Sequence, residues 1–325
     1  MSECKPCGAV SNQTQKSVAS FSAPFHRRFL FREVSGRYWI LVAILHCGLC
    51  AFALSGDLTP GVPPQQTPRI SEMPFTLYRG YLIMMEGRIG RLEHQNLLLD
   101  TGTSPSMIDK TISDKLGLHG SARGLSLFNQ SLAAESVMLP DLQVGPLRRQ
   151  NLPVMVTDFS KVQSGVGTHV DAVIGLDVLS AMSFTIDYQK RRILFRASME
   201  RHSAPFTSGS QFITVNLKTG KRQLHLLLDT GTPHLVLFKN ALRDLDYDWT
   251  ELTETGQNIS GNVSYNTIIL PQALLGNVDV GPQKASIVAT REDFANQYDG
   301  LIGVYFLRPK RLSFDFTHQL LAWSN

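Results

Sequence analysis

At 325 residues, the chain is long enough for two domains, each with its own core, and its 43% hydrophobic and 18% charged shares are ordinary for a globular protein. The formal net charge of +4 comes entirely from residues 1–56, where Lys5, Lys16, Arg27, Arg28, Arg32 and Arg37 face only Glu3 and Glu33. The remaining chain balances 25 basic against 25 acidic residues, and a neutral body without a basic stripe argues against nucleic acid as a partner.

Residues 1–37 are polar, Ser-rich and basic towards their end, the composition of a disordered segment. An apolar run occupies 38–54, directly after Arg27, Arg28, Arg32 and Arg37. Positive charge before an apolar run predicts that the N-terminus stays in the cytoplasm and that the chain beyond the run crosses. Seventeen residues is at the short limit for a spanning helix. Ala53-Leu54-Ser55 would also serve as a small-x-small cleavage site, so 38–55 reads as either a signal peptide or an uncleaved membrane anchor. Either delivers the body outside the cytoplasm, as a secreted, periplasmic or membrane-anchored protein. Cys4, Cys7, Cys47 and Cys50 form two Cys-x-x-Cys pairs, a spacing that zinc sites use, but the second pair sits inside the apolar run and reads as apolar filler. No metal or other cofactor is expected. The body has no cysteine and owes nothing to disulfides. Residues 56–74 form a Pro-rich, extended linker.

The body begins at Phe75. Tyr81–Glu86 and Arg91–Asp100 are predicted strands joined by a turn at Gly87–Gly90, and Ile108–Leu118 has a short helical pattern. Further strands are predicted at 137–139, 142–144 and 152–156, then a flexible loop at 162–169, a short helix at 176–182 and a hairpin of 184–188 with 192–195. A brief linker at 197–204 precedes a second pass through the same plan. Leu97-Leu98-Leu99-Asp100-Thr101-Gly102-Thr103 recurs letter for letter at 226–232, an offset of 129. Val173-Ile174-Gly175 answers to Leu301-Ile302-Gly303, and Thr185-Ile186-Asp187 to Ser313-Phe314-Asp315, both at an offset of 128. One module is used twice.

An Asp directly after three leucines is costly to bury unless something offsets its charge. Two such segments related by a pseudo-two-fold axis would set Asp100 beside Asp229, roughly 3 Å apart as in the aspartic-protease dyad, sharing one proton. The ionised partner would take a proton from water while the protonated one polarises a peptide carbonyl. Thr101 and Thr230 would tie the two turns together, and Thr103 and Thr232 would donate to the outer carboxylate oxygens.

These motifs resemble the retropepsin-like aspartic proteases, the retroviral-protease type, here duplicated and fused in one chain. The family pattern of two apolar residues, Asp-Thr/Ser-Gly and a late apolar-apolar-Gly stands twice, with Asp100, Thr101, Gly102 and Gly175, and with Asp229, Thr230, Gly231 and Gly303. The resemblance covers residues 75–325. It implies an all-β protein of two pseudo-symmetric retropepsin-like β-barrel lobes, 75–197 and 205–325, with a cleft between them. It implies an aspartic endopeptidase with Asp100 and Asp229 as the catalytic pair, a polypeptide substrate, and a monomer, since one chain supplies both turns. Gly175 and Gly303 would support the catalytic turns, and 119–131 and 255–265 would be the flaps. The alternative is a catalytically silent retropepsin-like module that binds peptides or proteins. His94, His225 and the matched pairs Asp171/Asp299 and Asp187/Asp315 read as structural residues of shared turns.

Overall fold

Each Asp-Thr-Gly word ends a strand that is buried on both faces, which is why its sequence is an uninterrupted leucine run rather than an alternation. In strand Leu92–Leu99, Leu97 and Leu99 point into the main core while Leu98 packs with Leu82, Met84, Met107 and Val173 on the opposite face. Strand Arg222–Asp229 does the same: Leu226 and Leu228 join the main core, and Leu227 packs with Phe212, Val236 and Leu301. The computed structural model describes residues 43–44, 72–127, 131–209, 211–258 and 261–325. By compactness the chain divides after Ser35, and all described residues belong to the second unit, Gly36–Asn325.

Among the described residues the structure is mostly β, in a ten-stranded and a fifteen-stranded sheet with a few short helices. The strand order in one sheet is repeated in the other. In the first, Leu82–Ile89, Leu92–Leu99, Ala172–Ile174, Met107–Asp109, Leu147–Thr157, Ser131–Val144 and Ser121–Leu127 lie side by side. In the second, Ile213–Thr219, Arg222–Asp229, Gly300–Gly303, Leu235–Phe238, Gln283–Val288, Gly261–Leu270 and Asp248–Asn258 stand in the same succession. The parallel pairings also correspond, Leu98 with Val173 and Leu227 with Leu301.

The closing hairpin of the first half, Phe184–Asp187 with Arg192–Leu194, lies in the second sheet. It pairs antiparallel with Arg311–Asp315, Phe184 stacking on Phe314 at 4.7 Å between ring centroids. The 197–204 linker is shorter than the sequence suggests, because His202–Ser208 is already a strand, paired with Leu320–Ser324.

Several local expectations change. The turn predicted at Gly87–Gly90 narrows to Gly90-Arg91, with Gly90 at φ 57°, and the strand runs on through Gly87. Gly87 is there because the strand Ser131–Val144 crosses it: a Cβ would meet the Gln143 carbonyl oxygen at 2.6 Å. Ile108 belongs to a strand, and the helix is confined to Lys110–Leu116, capped by the Asp109 side chain on the Thr111 N–H and ended by Gly117 at φ 66°. The two strands predicted within 137–144 are one strand, Ser131–Val144. Pro140 is tolerated because it falls where Asn151, at φ 51°, interrupts the ladder. The predicted loop at 162–169 is instead a helix, Ser160–Val166, which buries Val162 and Val166 one turn apart and stops at Gly167, φ 85°.

No helix of the described residues is long and apolar enough to cross a membrane. The apolar run 38–54 and all four cysteines lie outside those residues except for Ala43–Ile44, whose backbone forms a short strand.

Candidate active site

The site starts from two strand ends. Asp100 directly follows Leu99, its N–H donating to Ile174 O at 3.0 Å, and Asp229 is the last residue of its strand, paired with Gly303. Each chain then turns sharply, so that the Asp side chain folds back over the turn. The Gly102 N–H donates to Asp100 Oδ1 at 2.8 Å and the Gly231 N–H to Asp229 Oδ1 at 2.7 Å. Thr103 Oγ1 donates to Asp100 Oδ2, and Thr232 Oγ1 to Asp229 Oδ2, both at 2.8 Å. The same two donors therefore hold each carboxyl group.

The two turns are locked to one another by the intervening threonines. The Thr101 N–H donates to Thr230 Oγ1 at 2.9 Å and the Thr230 N–H to Thr101 Oγ1 at 3.1 Å. The hydroxyls in turn donate across the interface, Thr101 Oγ1 to Leu228 O at 2.9 Å and Thr230 Oγ1 to Leu99 O at 3.3 Å. Every group in this lattice is buried, so each lost bond exposes the full cost of an unsatisfied partner. Thr101→Val keeps the shape but strands the Thr230 N–H and the Leu228 carbonyl. Denaturant unfolding is expected to show a loss of about 2–6 kcal/mol, from two such groups at about 1–3 kcal/mol each.

Asp100 and Asp229 lie within hydrogen-bonding reach of each other, and both are fully buried. Desolvation raises the pKa of both above the usual carboxylate value, and the negative charge of Asp100 raises that of Asp229 further. The glycines of the two words permit this approach. A Cβ on Gly102 would sit 2.5 Å from Asp229 Cγ, and one on Gly231 would sit 3.1 Å from Asp100 Cγ. Gly175 and Gly303 press against the turns from beneath, leaving 2.2 Å between a Cβ on Gly175 and Thr103 O, and 2.0 Å between one on Gly303 and Thr232 O.

All ten residues singled out from the sequence thus converge on one place. Three neighbours were not anticipated. Ser106 bonds Asp177 twice, N–H to Oδ2 at 2.9 Å and Oγ to Oδ1 at 2.6 Å, while its Oγ accepts the Gly175 N–H at 2.9 Å. This bracket ties the late glycine to the strand after the Asp100 turn, and burial raises the Asp177 pKa above the usual carboxylate value. The other half does the job differently, with the Gly303 N–H donating to His234 O at 3.1 Å. Matched positions in the repeat give no sign of the bracket, because Leu235 and Tyr305 stand where Ser106 and Asp177 do. Tyr81 is the third: burial, then the charge of Asp229, push its phenol far above its ordinary value, placing it in the electrostatic reach of the pair.

The residues read as structural have structural partners. Asp171 Oδ2 accepts the Asn96 N–H at 2.7 Å and Asp299 Oδ2 the His225 N–H at 2.8 Å. Asp187 and Asp315 accept backbone N–H groups of their own turns, from Lys190 and from Thr317 and His318. His94 is exposed beside Glu86, and the His225 ring stacks on Tyr298. The flap predictions, 119–131 and 255–265, fall partly on the strand pairs Ser121–Leu127 with Ser131–Val144 and Asp248–Asn258 with Gly261–Leu270, while 128–130 and 259–260 lie outside the described residues. No cluster of three or more His, Cys, Asp or Glu able to hold a metal ion occurs among the described residues.

A comparison with curated proteins returns no match. Residues 85–178, which contain Asp100, Ser106, Gly175 and Asp177, match the family model described as aspartyl protease, and together with the paired carboxyl groups that match supports an aspartic protease family for this chain.

Proposed function

We propose that this chain is an aspartic endopeptidase made of two fused retropepsin-like lobes, with Asp100 and Asp229 acting as one catalytic unit across a pseudo-two-fold axis. The observation that carries the reading is the mutual hydrogen bond of two fully buried carboxyls, each held by a Gly N–H and a Thr hydroxyl. Two such groups cannot both ionise at this distance without large cost, so the pair carries one proton. The ionised carboxylate accepts a proton from a water as its oxygen attacks the peptide carbonyl carbon. The protonated partner donates to the carbonyl oxygen, giving a neutral tetrahedral diol. The newly protonated carboxyl then gives its proton to the amide nitrogen while the ionised one takes a proton from a diol hydroxyl, so the C–N bond breaks to a carboxylic acid and an amine and the pair again holds one proton. The recurrence of the strand order and of the bonds at each Asp supports duplication. One chain supplies both turns, so the active unit is a monomer. The body works outside the cytoplasm, delivered by residues 38–55.

The test is cleavage of a mixed peptide library by the purified protein from pH 3 to 9, read by mass spectrometry. Products are expected, with a rate set by the singly protonated pair. Asp100, pushed up to about 6 by desolvation, sets the acidic limb. Below that value both carboxyls are protonated and the base is lost, so kcat/KM should fall about tenfold per pH unit. A correctly folded protein that yields no products at any pH would instead be a silent peptide-binding module.

A further inference from the structure

The two halves hold their aspartates with the same bonds but brace the turns by different means. In the first half, Asp177 Oδ2 accepts the Ser106 N–H at 2.9 Å, and Oδ1 accepts the Ser106 hydroxyl at 2.6 Å. The same hydroxyl oxygen accepts the Gly175 N–H at 2.9 Å. That N–H belongs to one peptide group with the Ile174 carbonyl, which accepts the Asp100 N–H at 3.0 Å. A single peptide group is therefore gripped from both sides, by Asp100 on one and by Ser106 with Asp177 on the other. Gly175 also presses on the Asp100 turn, where a Cβ would stand 2.2 Å from Thr103 O. In the second half the Gly303 N–H donates to a backbone oxygen, His234 O, and Leu235 and Tyr305 occupy the places of Ser106 and Asp177.

A carboxyl kept this far from water is costly, and burial holds it above the usual carboxylate range. Arg149 reaches Asp177 too, but its Nη2 donates to the backbone carbonyl at 3.2 Å and not to the carboxyl. The second half folds without such a group, so the architecture by itself does not call for it. From these bonds we propose that Asp177 is a positioning residue of the catalytic pair, holding the Asp100 turn through Ser106 and the Ile174–Gly175 peptide group, while the Asp229 turn stands without an equivalent. The bracket asks for an acceptor on each oxygen at once. An amide has one acceptor oxygen and one donor NH2, so Asp177→Asn keeps the size and loses one of the two bonds. The peptide group then loses its fixed partner, the Asp100 turn loosens, and water reaches a carboxyl that burial pushes up to about 6. The titration of the pair should move down towards the ordinary carboxylate value.

The effect on rate rests on the endopeptidase reading, whereas the ionisation of the pair can be read without any substrate. Carboxyl 13C NMR of the full-length protein follows the pair, whose signals are identified by their loss in Asp100→Asn and Asp229→Asn. In both Asp177→Asn and Ser106→Ala that titration is expected to fall by about one pH unit. The acidic limb of kcat/KM should move with it, and kcat should drop about tenfold while KM stays within about twofold. Asp187→Asn, which loses the Lys190 N–H bond of the closing hairpin, is the control and should titrate as wild type. Should Asp177→Asn fail to fold, Asp177→Ser, with a single hydroxyl acceptor, takes its place. Shifted titrations with no cleavage by any form, wild type included, would uphold the positioning role and reject the endopeptidase. A shift in only one of the two variants would mean that Asp177 and Ser106 do not act as one bracket, and would overturn the proposal. So would a pair that titrates as wild type in both, whatever happens to cleavage.

Discussion

Asp100→Asn and Asp229→Asn, made singly, are each expected to abolish library cleavage, lowering kcat/KM by on the order of 10³–10⁴ or more, while circular dichroism and the unfolding transition remain those of a folded protein. Either change leaves the pair with one group that cannot exchange a proton, so the proton transfers that both steps need have no route. The side-chain amide keeps the size of the carboxyl and can still bond the Gly N–H and the Thr hydroxyl of its own turn. The fold should in fact gain. Burial raises Asp100 from 3.8 in the unfolded chain to about 6 in the folded one. A raised carboxyl contributes stability that is fully present below the unfolded value and is lost as pH rises through the folded value. Above pH 6 the wild type has lost that contribution, while the neutral Asn has nothing to lose. Thermal melts at pH 8 should therefore place Asp100→Asn above wild type by on the order of 3 kcal/mol, about two pKa units, and the difference should shrink towards pH 4. Full activity in either variant would sink the shared-proton mechanism. A melt at pH 8 below wild type would reject the desolvated pair.

Gly303→Ala should be nearly as damaging by another route. Its φ of −78° suits any residue, so the constraint is space alone. A Cβ would stand 2.0 Å from Thr232 O and 2.7 Å from the His234 N, both backbone atoms that cannot swing aside. Relief requires moving strand Gly300–Gly303, which pairs directly with Asp229 and carries it along. The expected outcome is a loss of about 3 kcal/mol or more in denaturant unfolding, together with loss of cleavage in whatever remains folded. Gly175→Ala, at 2.2 Å from Thr103 O, should behave alike. Gly124→Ala meets nothing within 4 Å and should melt as wild type does, which makes it the control. A Gly303→Ala protein of wild-type stability and activity would mean that the late glycines do not brace the turns.

Legibility tracked the range of the interactions. The leucine runs, bounded by a carboxylate and Thr-Gly, read as strands, and the structure shows them covered on both faces. The exact recurrence of seven residues, with late glycines at a constant offset, marked every residue of the two words now found around the pair. Helix Ser160–Val166 was missed because Gly165 and Gly167 outweighed the spacing of Val162 and Val166. Its stability comes from burying those valines with Phe159, a contact with no local signature. The Ser106–Asp177 bracket was missed for the opposite reason: it breaks the repeat, and what the two halves share carries no trace of it.

By itself the sequence determined which short words would form buried strands, tight turns and glycine contacts, because those depend on residues near one another along the chain. That the two words meet was decided by tertiary structure. The crossed Thr101 and Thr230 bonds span 127 to 131 residues, and the first half closes its hairpin on a strand of the second. The raised pKa values of Asp100 and Asp229 arise only because that packing removes water from both carboxyls at once, a property of neither segment alone.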